Sequence, residues 1–438
     1  MDLKSLSTIR IAAPDLNGLM RGKRMPSQDF NKLADGGARM PFSALNIDIT
    51  GADIENSPLV FETGDADGVL LPTRRGPLPM PWLATPSALV PMGMYNEDRS
   101  VFDGDPRHAL AAVLERYLSR GWQVHAATEM EFYLVDDSGN TLKSARNPLT
   151  GRRISGDATL DLAELDAFDA FFTDLYDGCK AMGIPAQAAI SEAGTGQFEI
   201  NLLHRDALDA ADDAHLFKAL TKGIARKHGM AATFMAKPFA DDAGSGMHVH
   251  FSVVDGNGKN IFDNGGPEGT DLMHHAVAGC VAAMPPSTLV FVPHGVSFDR
   301  MIAGAHAPTG AGWAYENRTA AIRIPGGSHK ARRIEHRVAC GDINPYLVIA
   351  AILGAALIGI EDRMVAPQPL TGNAYEQELP QLAGDWSKAI DDFESSEIVR
   401  RIFPGLLIEN LCNTKRQELR RMADVPRDDL WKIYVDAS

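Results

Sequence analysis

Residues 124–133 read Val-His-Ala-Ala-Thr-Glu-Met-Glu-Phe-Tyr, an alternation that makes a strand with two unlike faces. Glu129 and Glu131 share one face with Ala127 and Tyr133, and Thr128, Met130 and Phe132 take the other. Residues two apart on one face lie about 7 Å from each other, so each carboxylate could serve a different cation. Two like charges on so apolar a strand are costly unless a cation or solvent relieves them. An exposed strand face and a pair of metal ligands both meet that demand, and the segment alone does not separate them.

Three further segments carry side chains of related chemistry. In Ser-Glu-Ala-Gly-Thr-Gly-Gln-Phe-Glu-Ile, residues 191–200, Glu192 precedes a glycine-containing turn. Gln197, Glu199 and Asn201 then alternate with Phe198 and Ile200, and a bend would return Glu192 to the side of Glu199. A plain surface hairpin is the competing interpretation. In Gly-Ser-Gly-Met-His-Val-His-Phe-Ser, residues 244–252, the glycines offer backbone that a ligand can approach closely. His248, His250 and Ser252 line one face of the strand that follows, although two histidines at this spacing are weak grounds for a metal site. The chain has no GxxxxGK[ST] loop, so a nucleotide would be held by something other than a P-loop. Between Glu316 and Arg337, Arg318 and Arg323 flank an apolar strand, and Arg333, Glu335 and Arg337 share one face of the next. Arginine forks fit phosphate and carboxylate, and a structural ion-pair ladder would look the same. Taken together, five glutamates, a histidine and several arginines on strands of matching parity describe a pocket for hard cations and phosphates. Glutamates favour Mg²⁺ or Mn²⁺ over zinc, since no cysteine joins the set.

The bulk of the chain is that of a globular protein. It has 438 residues, 45% of them apolar and 23% charged, enough for more than one folding unit. A net charge of −15 argues against a nucleic-acid surface. Cys179, Cys280, Cys340 and Cys412 form no CxxC pair and are expected as reduced, buried thiols of a cytoplasmic protein. Lys4, Arg10 and Asp15 interrupt any leader-like apolar run, so no signal peptide is expected. The apolar stretch from Tyr346 to Ile360 is too short to cross a bilayer comfortably and is expected as a core helix. Residues 1 to about 100 alternate short β-rich runs (Ser7–Ala12, Gly68–Leu71) with turns, then run into Pro77, Pro79, Pro81, Pro86 and Pro91. A small first domain ends before this stretch, which is expected as a boundary or extended connection. Beyond it, Asp105 and Pro106 open a helix that Gly121 ends, and an apolar stripe from Phe168 to Met182 predicts a second helix over 165–182, with Gly183 at its end.

These residues resemble a known family. The runs Glu129-Met-Glu131-Phe132, Gly196-Gln-Phe-Glu199, Ala232-Thr-Phe-Met-Ala-Lys-Pro238, Gly244-Ser-Gly-Met-His-Val-His250, Asn317-Arg318, Arg323-Ile-Pro325, Arg333-Ile-Glu335 and Asn344-Pro-Tyr346 look like the successive signatures of the glutamine synthetase family. Residues 15–24 and 192–202 are closer to its branch of γ-glutamylputrescine synthetases. The resemblance implies an α+β protein: a β-grasp domain over 1–100, then a catalytic domain over 101–438 with a curved antiparallel sheet and surrounding helices. It implies a cytoplasmic enzyme of two stacked hexameric rings, with sites shared between subunits. Its substrates would be ATP, glutamate and an amine, with two or more Mg²⁺ or Mn²⁺ ions and no membrane or nucleic-acid partner. Carried over by position, Glu131, Glu192 and Glu199 match the ligands of one metal, and Glu129, His248 and Glu335 those of a second. Arg300 and Arg337 match glutamate-holding arginines, with Gly244 contributing backbone. Arg318, Arg323 and Arg333 match phosphate-binding arginines, and His250 and Ser252 match nucleotide contacts.

The departures fall on the amine side. Where ammonia-using members carry an acidic segment for ammonium, this chain has Phe42-Ser-Ala-Leu-Asn-Ile-Asp48, with Leu45 or Asn46 near the ammonium-binding aspartate. Their loop glutamate, six residues after the substrate arginine, becomes His306, which could take a proton from an amine but would hold ammonium less well. Asp67 keeps the second acidic position. With Arg318, His306 and Asp67 as catalytic candidates, a ligase for putrescine or another polyamine is expected. A ligase for methylamine or ethanolamine, a true glutamine synthetase, and a non-catalytic assembly protein on the same scaffold are the alternatives.

Overall fold

The structure is a computed structural model, and it describes residues 3–33, 35–302 and 307–438. It is an α+β protein built on two sheets. The smaller sheet contains β1 (Thr8–Pro14), β2 (Met20–Pro26), β3 (Ala38–Pro41), β4 (Asp67–Pro72), β5 (Leu78–Pro79) and β6 (Ala88–Tyr95). Its order is β2-β1-β6-β4-β3, with β5 added on β6. The β1–β6 pair is parallel and the others are antiparallel, the mixed arrangement of a β-grasp. Ile9, Ile11 and Ala13 alternate into its core with Leu70, Val90 and Met92. The proline-rich stretch is more than the connection expected from its composition. It supplies β5 and leads into β6, which pairs with three strands of this sheet, and Pro91 sits opposite Ala12 in the parallel ladder.

The larger sheet holds β7 (Gln123–Asp136), β8 (Lys143–Ser144), β9 (Ala186–Ser191), β10 (Gln197–Asp206), β11 (Ala231–Thr233), β12 (Met247–Val254), β13 (Trp313–Tyr315), β14 (Ile322–Ile324) and β15 (Ile334–His336). The order is β13-β14-β15-β12-β7-β10-β9, with β8 and β11 also on β7. Among the described residues β13 and β14 run parallel and the other pairs of this sheet antiparallel. The long strand β7 organises the rest. Val124, Ala126, Thr128, Met130 and Phe132 are buried, while Ala127, Glu129 and Glu131 between them are only partly covered. Helices cover the apolar face, where Phe132 meets Phe171, Phe198, Phe217 and Phe234. The other face is left for polar side chains.

Helix boundaries follow local chemistry. The Asp105 carboxylate caps the Pro106–Leu118 helix, accepting from Arg107 N at 2.8 Å and His108 N at 3.4 Å. The helix expected over 165–182 is two, Leu162–Ala167 and Asp169–Met182, broken at Phe168. Gly183 closes the second in the left-handed region, with φ of 68°. The apolar Pro345–Glu361 helix is buried along nearly its whole length, and among the described residues no helix is long and apolar enough to cross a membrane.

That helix crosses the Asp271–Ala283 helix through glycines. A Cβ on Gly279 would lie 2.1 Å from the Ala355 carbonyl oxygen, and one on Gly359 equally close to that of His275. Gly279→Leu is therefore expected to destabilise the protein by about 3 kcal/mol or more, because two backbones must separate. Gly384→Ala, where a Cβ meets nothing within 4 Å, is the matched control. Denaturant unfolding of the two variants checks this, and equal midpoints would contradict it.

Candidate active site

Strand register turns the parity read in the sequence into a cluster. Across β7 and β10, Glu131 stands opposite Glu199, and Glu129 opposite Asn201. Across β7 and β12, Glu129 stands opposite His248 and Ala127 opposite His250. His250 in turn faces Glu335 on β15, and Glu335 faces Arg323 on β14. Five strands thus bring their functional side chains to one face of the sheet.

Glu129 is the hub. Its two oxygens meet His248 Nδ1 at 2.8 Å and His250 Nε2 at 2.9 Å. Burial works against its ionisation, but the hydrogen bonds and charge of the two histidines overcome this and hold the carboxyl well below the usual carboxylate range. The other ring nitrogen of His250, Nδ1, lies 3.3 Å from Arg333 Nε, so the imidazole bridges Glu129 and Arg333. Glu131 accepts from Gly246 N at 2.6 Å and has an oxygen 3.9 Å from His248 Nε2. Glu199 accepts from Asn201 at 3.0 Å.

The remaining carboxylates crowd one another. Burial, then the charges of Glu129, Glu131 and Glu192, push the Glu199 carboxyl well above its usual range. Burial, then Glu131, pushes Glu192 up to about 7. Such crowding is relieved by binding cations. Two groups have geometry for it: ligand atoms of Glu129, Glu199 and His248 lie within 4.8 Å of one another, and so do those of Glu129, His250 and Glu335. Oxygen-rich sets completed by imidazole suit hard divalent cations with open coordination positions. Glu129 is common to both groups, and Glu131, with an oxygen 3.9 Å from His248 Nε2, borders them.

The arginines divide. Arg323 and Arg337 both hydrogen-bond Glu335, whereas Arg333, the other arginine of the ladder expected over 333–337, reaches His250 instead. Burial opposes ionisation of Glu335, but His250 and then Arg337, His248 and Arg323 hold its carboxyl low. Arg337 Nε is buried without a partner, a donor left over for an anion. Arg323 lies within β14 and does not flank it, and Arg318 is exposed on the turn between β13 and β14. Arg333, with Ser252, Lys259 and Lys330, lines a cavity of 830 Å³ that also borders Glu129 and His250. That volume is in the range of small-molecule and cofactor pockets.

Arg300 is 3% exposed, and its Nη1 donates to the Val338 carbonyl at 2.9 Å. The glycines of the 244–246 loop turn out to make room for this side chain. A Cβ on Gly244 would sit 2.6 Å from Arg300 Cγ, and one on Gly246 2.6 Å from Arg300 Nη2. The Tyr375 hydroxyl, which no sequence motif marks, is buried without a partner and feels the charges of Arg337 and Arg300.

The amine-side candidates are dispersed. Leu45 is fully buried in the first-domain core, and buried Asn46 donates to Thr414 Oγ1 at 2.8 Å, so neither offers its side chain to a substrate in this chain. Asp67 is exposed at the start of β4, in the smaller sheet. His306 lies outside the described residues.

A site with two cation sets, a cofactor-sized cavity and buried arginines defines a class: enzymes that move phosphoryl groups with divalent cations. The comparisons with known proteins make the family explicit. Residues 103–434 match the family model described as glutamine synthetase, catalytic domain. The chain is 36% identical over 404 residues to the gamma-glutamylputrescine synthetase PuuA of Escherichia coli strain K12, covering 90% of this chain and 84% of that one. It is 33% identical to the glutamate–isopropylamine ligase of a Pseudomonas species, over 95% and 92% of the two chains. Among solved structures it is similar to one described as apo GmaS without ligand, with a TM-score of 0.84 and 27% identity over 98% of this chain and 96% of that one. The chain belongs to the glutamine synthetase family, whose enzymes depend on ATP and divalent metal.

The raised carboxyls make cation binding pH-linked. In the cation-free protein Glu192 keeps a proton up to about pH 7, whereas an ordinary glutamate loses it near 4.5. Across that window the folded chain holds more protons than the unfolded one, so these groups lower stability as pH rises. Cations that bind the carboxylates displace the protons, so Mg²⁺ affinity is expected to rise from pH 6 to pH 8 with proton release. Calorimetry in two buffers of unlike ionisation enthalpy measures this, and binding with no proton release at pH 6 would contradict it.

Proposed function

We propose that the chain is an ATP-dependent glutamate–amine ligase that forms a γ-glutamyl amide through γ-glutamyl phosphate, with putrescine or another polyamine as the acceptor. The observation that carries this is the Glu129 hub, with cation sets on either side and the cofactor-sized cavity at its edge. Residues 1–100 form the first domain and 101–438 the catalytic one in this reading. The enzyme is cytoplasmic and assembles as two stacked hexameric rings.

The roles follow from placement. Arg333, His250 and Ser252 hold ATP in the 830 Å³ cavity with its triphosphate toward Glu129. Arg300, Arg337 and the 244–246 backbone hold glutamate. Two Mg²⁺ ions, or Mn²⁺ in their place, supply charge stabilisation for the transferred phosphoryl group when bound to the two ligand sets. A γ-carboxylate oxygen of glutamate forms a bond to the terminal phosphorus of ATP, and ADP leaves. The unprotonated amine then attacks the acyl carbon, its nitrogen loses a proton, and phosphate departs with that carboxylate oxygen. Arg318 and Arg323 stabilise the phosphoryl oxygens, and His306 and Asp67 act on the amine. Catalysis rests on positioning and charge, with no covalent enzyme intermediate.

Phosphate release from ATP, measured with glutamate and a panel of ammonia, methylamine, ethanolamine, isopropylamine and putrescine, tests the reading. Putrescine is expected to give the highest kcat/KM, and ammonia as the best acceptor would overturn the assignment of the amine. Glu131→Ala should lower kcat by about 100-fold or more, the scale of losing preorganised charge stabilisation. Unchanged activity in that variant would favour the assembly protein instead. Gly246→Ala, which crowds Arg300, should raise KM for glutamate by about tenfold and leave KM for ATP near its original value.

A further inference from the structure

A fully buried polar network lies outside the site just described, and it connects three distant parts of the chain. The Gly405–Ala423 helix contributes Lys415 and Glu418, whose side chains are 1% and 0% exposed. One Glu418 oxygen accepts from Asn17 Nδ2 at 2.8 Å and from Ile49 N at 2.7 Å. The other accepts from Lys415 Nζ at 2.9 Å and lies 3.7 Å from His294 Nδ1. Lys415 Nζ also donates to Asn17 Oδ1 and stands 3.4 Å from His294 Nδ1. His294 is buried against Tyr434 and Trp386, with ring centroids 5.0 and 6.4 Å away.

His294 immediately precedes the short 3₁₀ segment Gly295–Arg300, which it caps and which ends on Arg300. Its carbonyl accepts from Ser297 N at 3.0 Å, and Ser297 Oγ donates to Asp342 Oδ2 at 2.7 Å. The network therefore fixes where the segment starts, and six residues later its last residue places a guanidinium between Gly244, Gly246 and the Val338 carbonyl. A buried Lys–Glu pair is a poor source of stability beside apolar residues of the same volume, because both charges lose their water. What such a pair supplies here is direction: the carboxylate and ammonium fix the imidazole from one side and the Asn17 and Ile49 backbone segments from the other.

We propose that Glu418 and Lys415 are positioning residues for Arg300, acting through His294. The proposal rests on the reading of Arg300 as a glutamate-holding side chain.

His294→Phe keeps the ring packing and removes only the link to the charged pair. It is expected to raise KM for glutamate about tenfold while KM for ATP and kcat change less than twofold, since only one substrate's anchor shifts. Glu418→Gln should act in the same direction, and combining it with His294→Phe should add little, because both variants cut one connection. If Glu418→Gln fails to fold, His294→Phe alone decides. Thermal midpoints are recorded for each variant. Parallel losses for glutamate and ATP that track a lowered midpoint would overturn the proposal in favour of a purely structural role. Arg300→Lys is measured beside them: unchanged glutamate KM there overturns the underlying reading of Arg300. A raised KM in Arg300→Lys with none in His294→Phe overturns the positioning proposal alone.

Discussion

The structure depends on one constraint: several carboxylates and two histidines crowd around Glu129 on a partly buried sheet face. Left alone, that cluster is unfavourable, as the upward displacement of Glu192 and Glu199 shows. Everything that surrounds it either tolerates the crowding or uses it. The histidines meet both Glu129 oxygens, Gly246 N meets Glu131, and two arginines converge on Glu335. What remains is a demand for positive charge that divalent cations satisfy. A site poised in this way is suited to collecting the charge of a triphosphate and a dicarboxylate in one place.

The fold meets that constraint by separating two environments across one strand. The odd-numbered residues of β7 carry the carboxylates, and the even-numbered ones anchor an aromatic core of Phe132, Phe198 and Phe217. A shift of one residue in β7 would bury both glutamates in that core, so the packing on one face enforces the register on the other. Glycines at 244 and 246 extend the same economy, since they admit the Arg300 side chain to a place where any Cβ would collide.

Much of this was legible in the sequence because β7, β10 and β12 are long enough to display alternation. Residues 124–133 and 244–252 therefore put Glu129, Glu131, His248 and His250 on the correct faces. The three-residue strands β13, β14 and β15 are too short to show any period, so Arg323 was expected beside a strand and stands within one. The clustering of these ligand atoms was not legible either, because it depends on cross-strand register between residues far apart in the chain, which brings Glu129 within 4.8 Å of both Glu199 and His248 and of both His250 and Glu335. The proline-rich stretch has the composition of a connection because proline suits extended backbone, and the same geometry suits β6. Buried Asn46 is held by Asn410 and Thr414 in a helix far along the chain, which no local pattern reveals.

In the proposed reaction the glutamate and nucleotide half draws on the sheet face around Glu129, while Asp67 of the amine half stands in the smaller sheet. The account's central claim concerns the first half: that glutamate is activated by phosphorylation before the amine attacks. Supplying glutamate labelled with oxygen-18 in its γ-carboxylate, together with ATP and putrescine, and weighing the released phosphate by mass spectrometry tests this directly. The account predicts that the phosphate carries one of the labelled oxygens for each amide formed. Amide formation with unlabelled phosphate would contradict it.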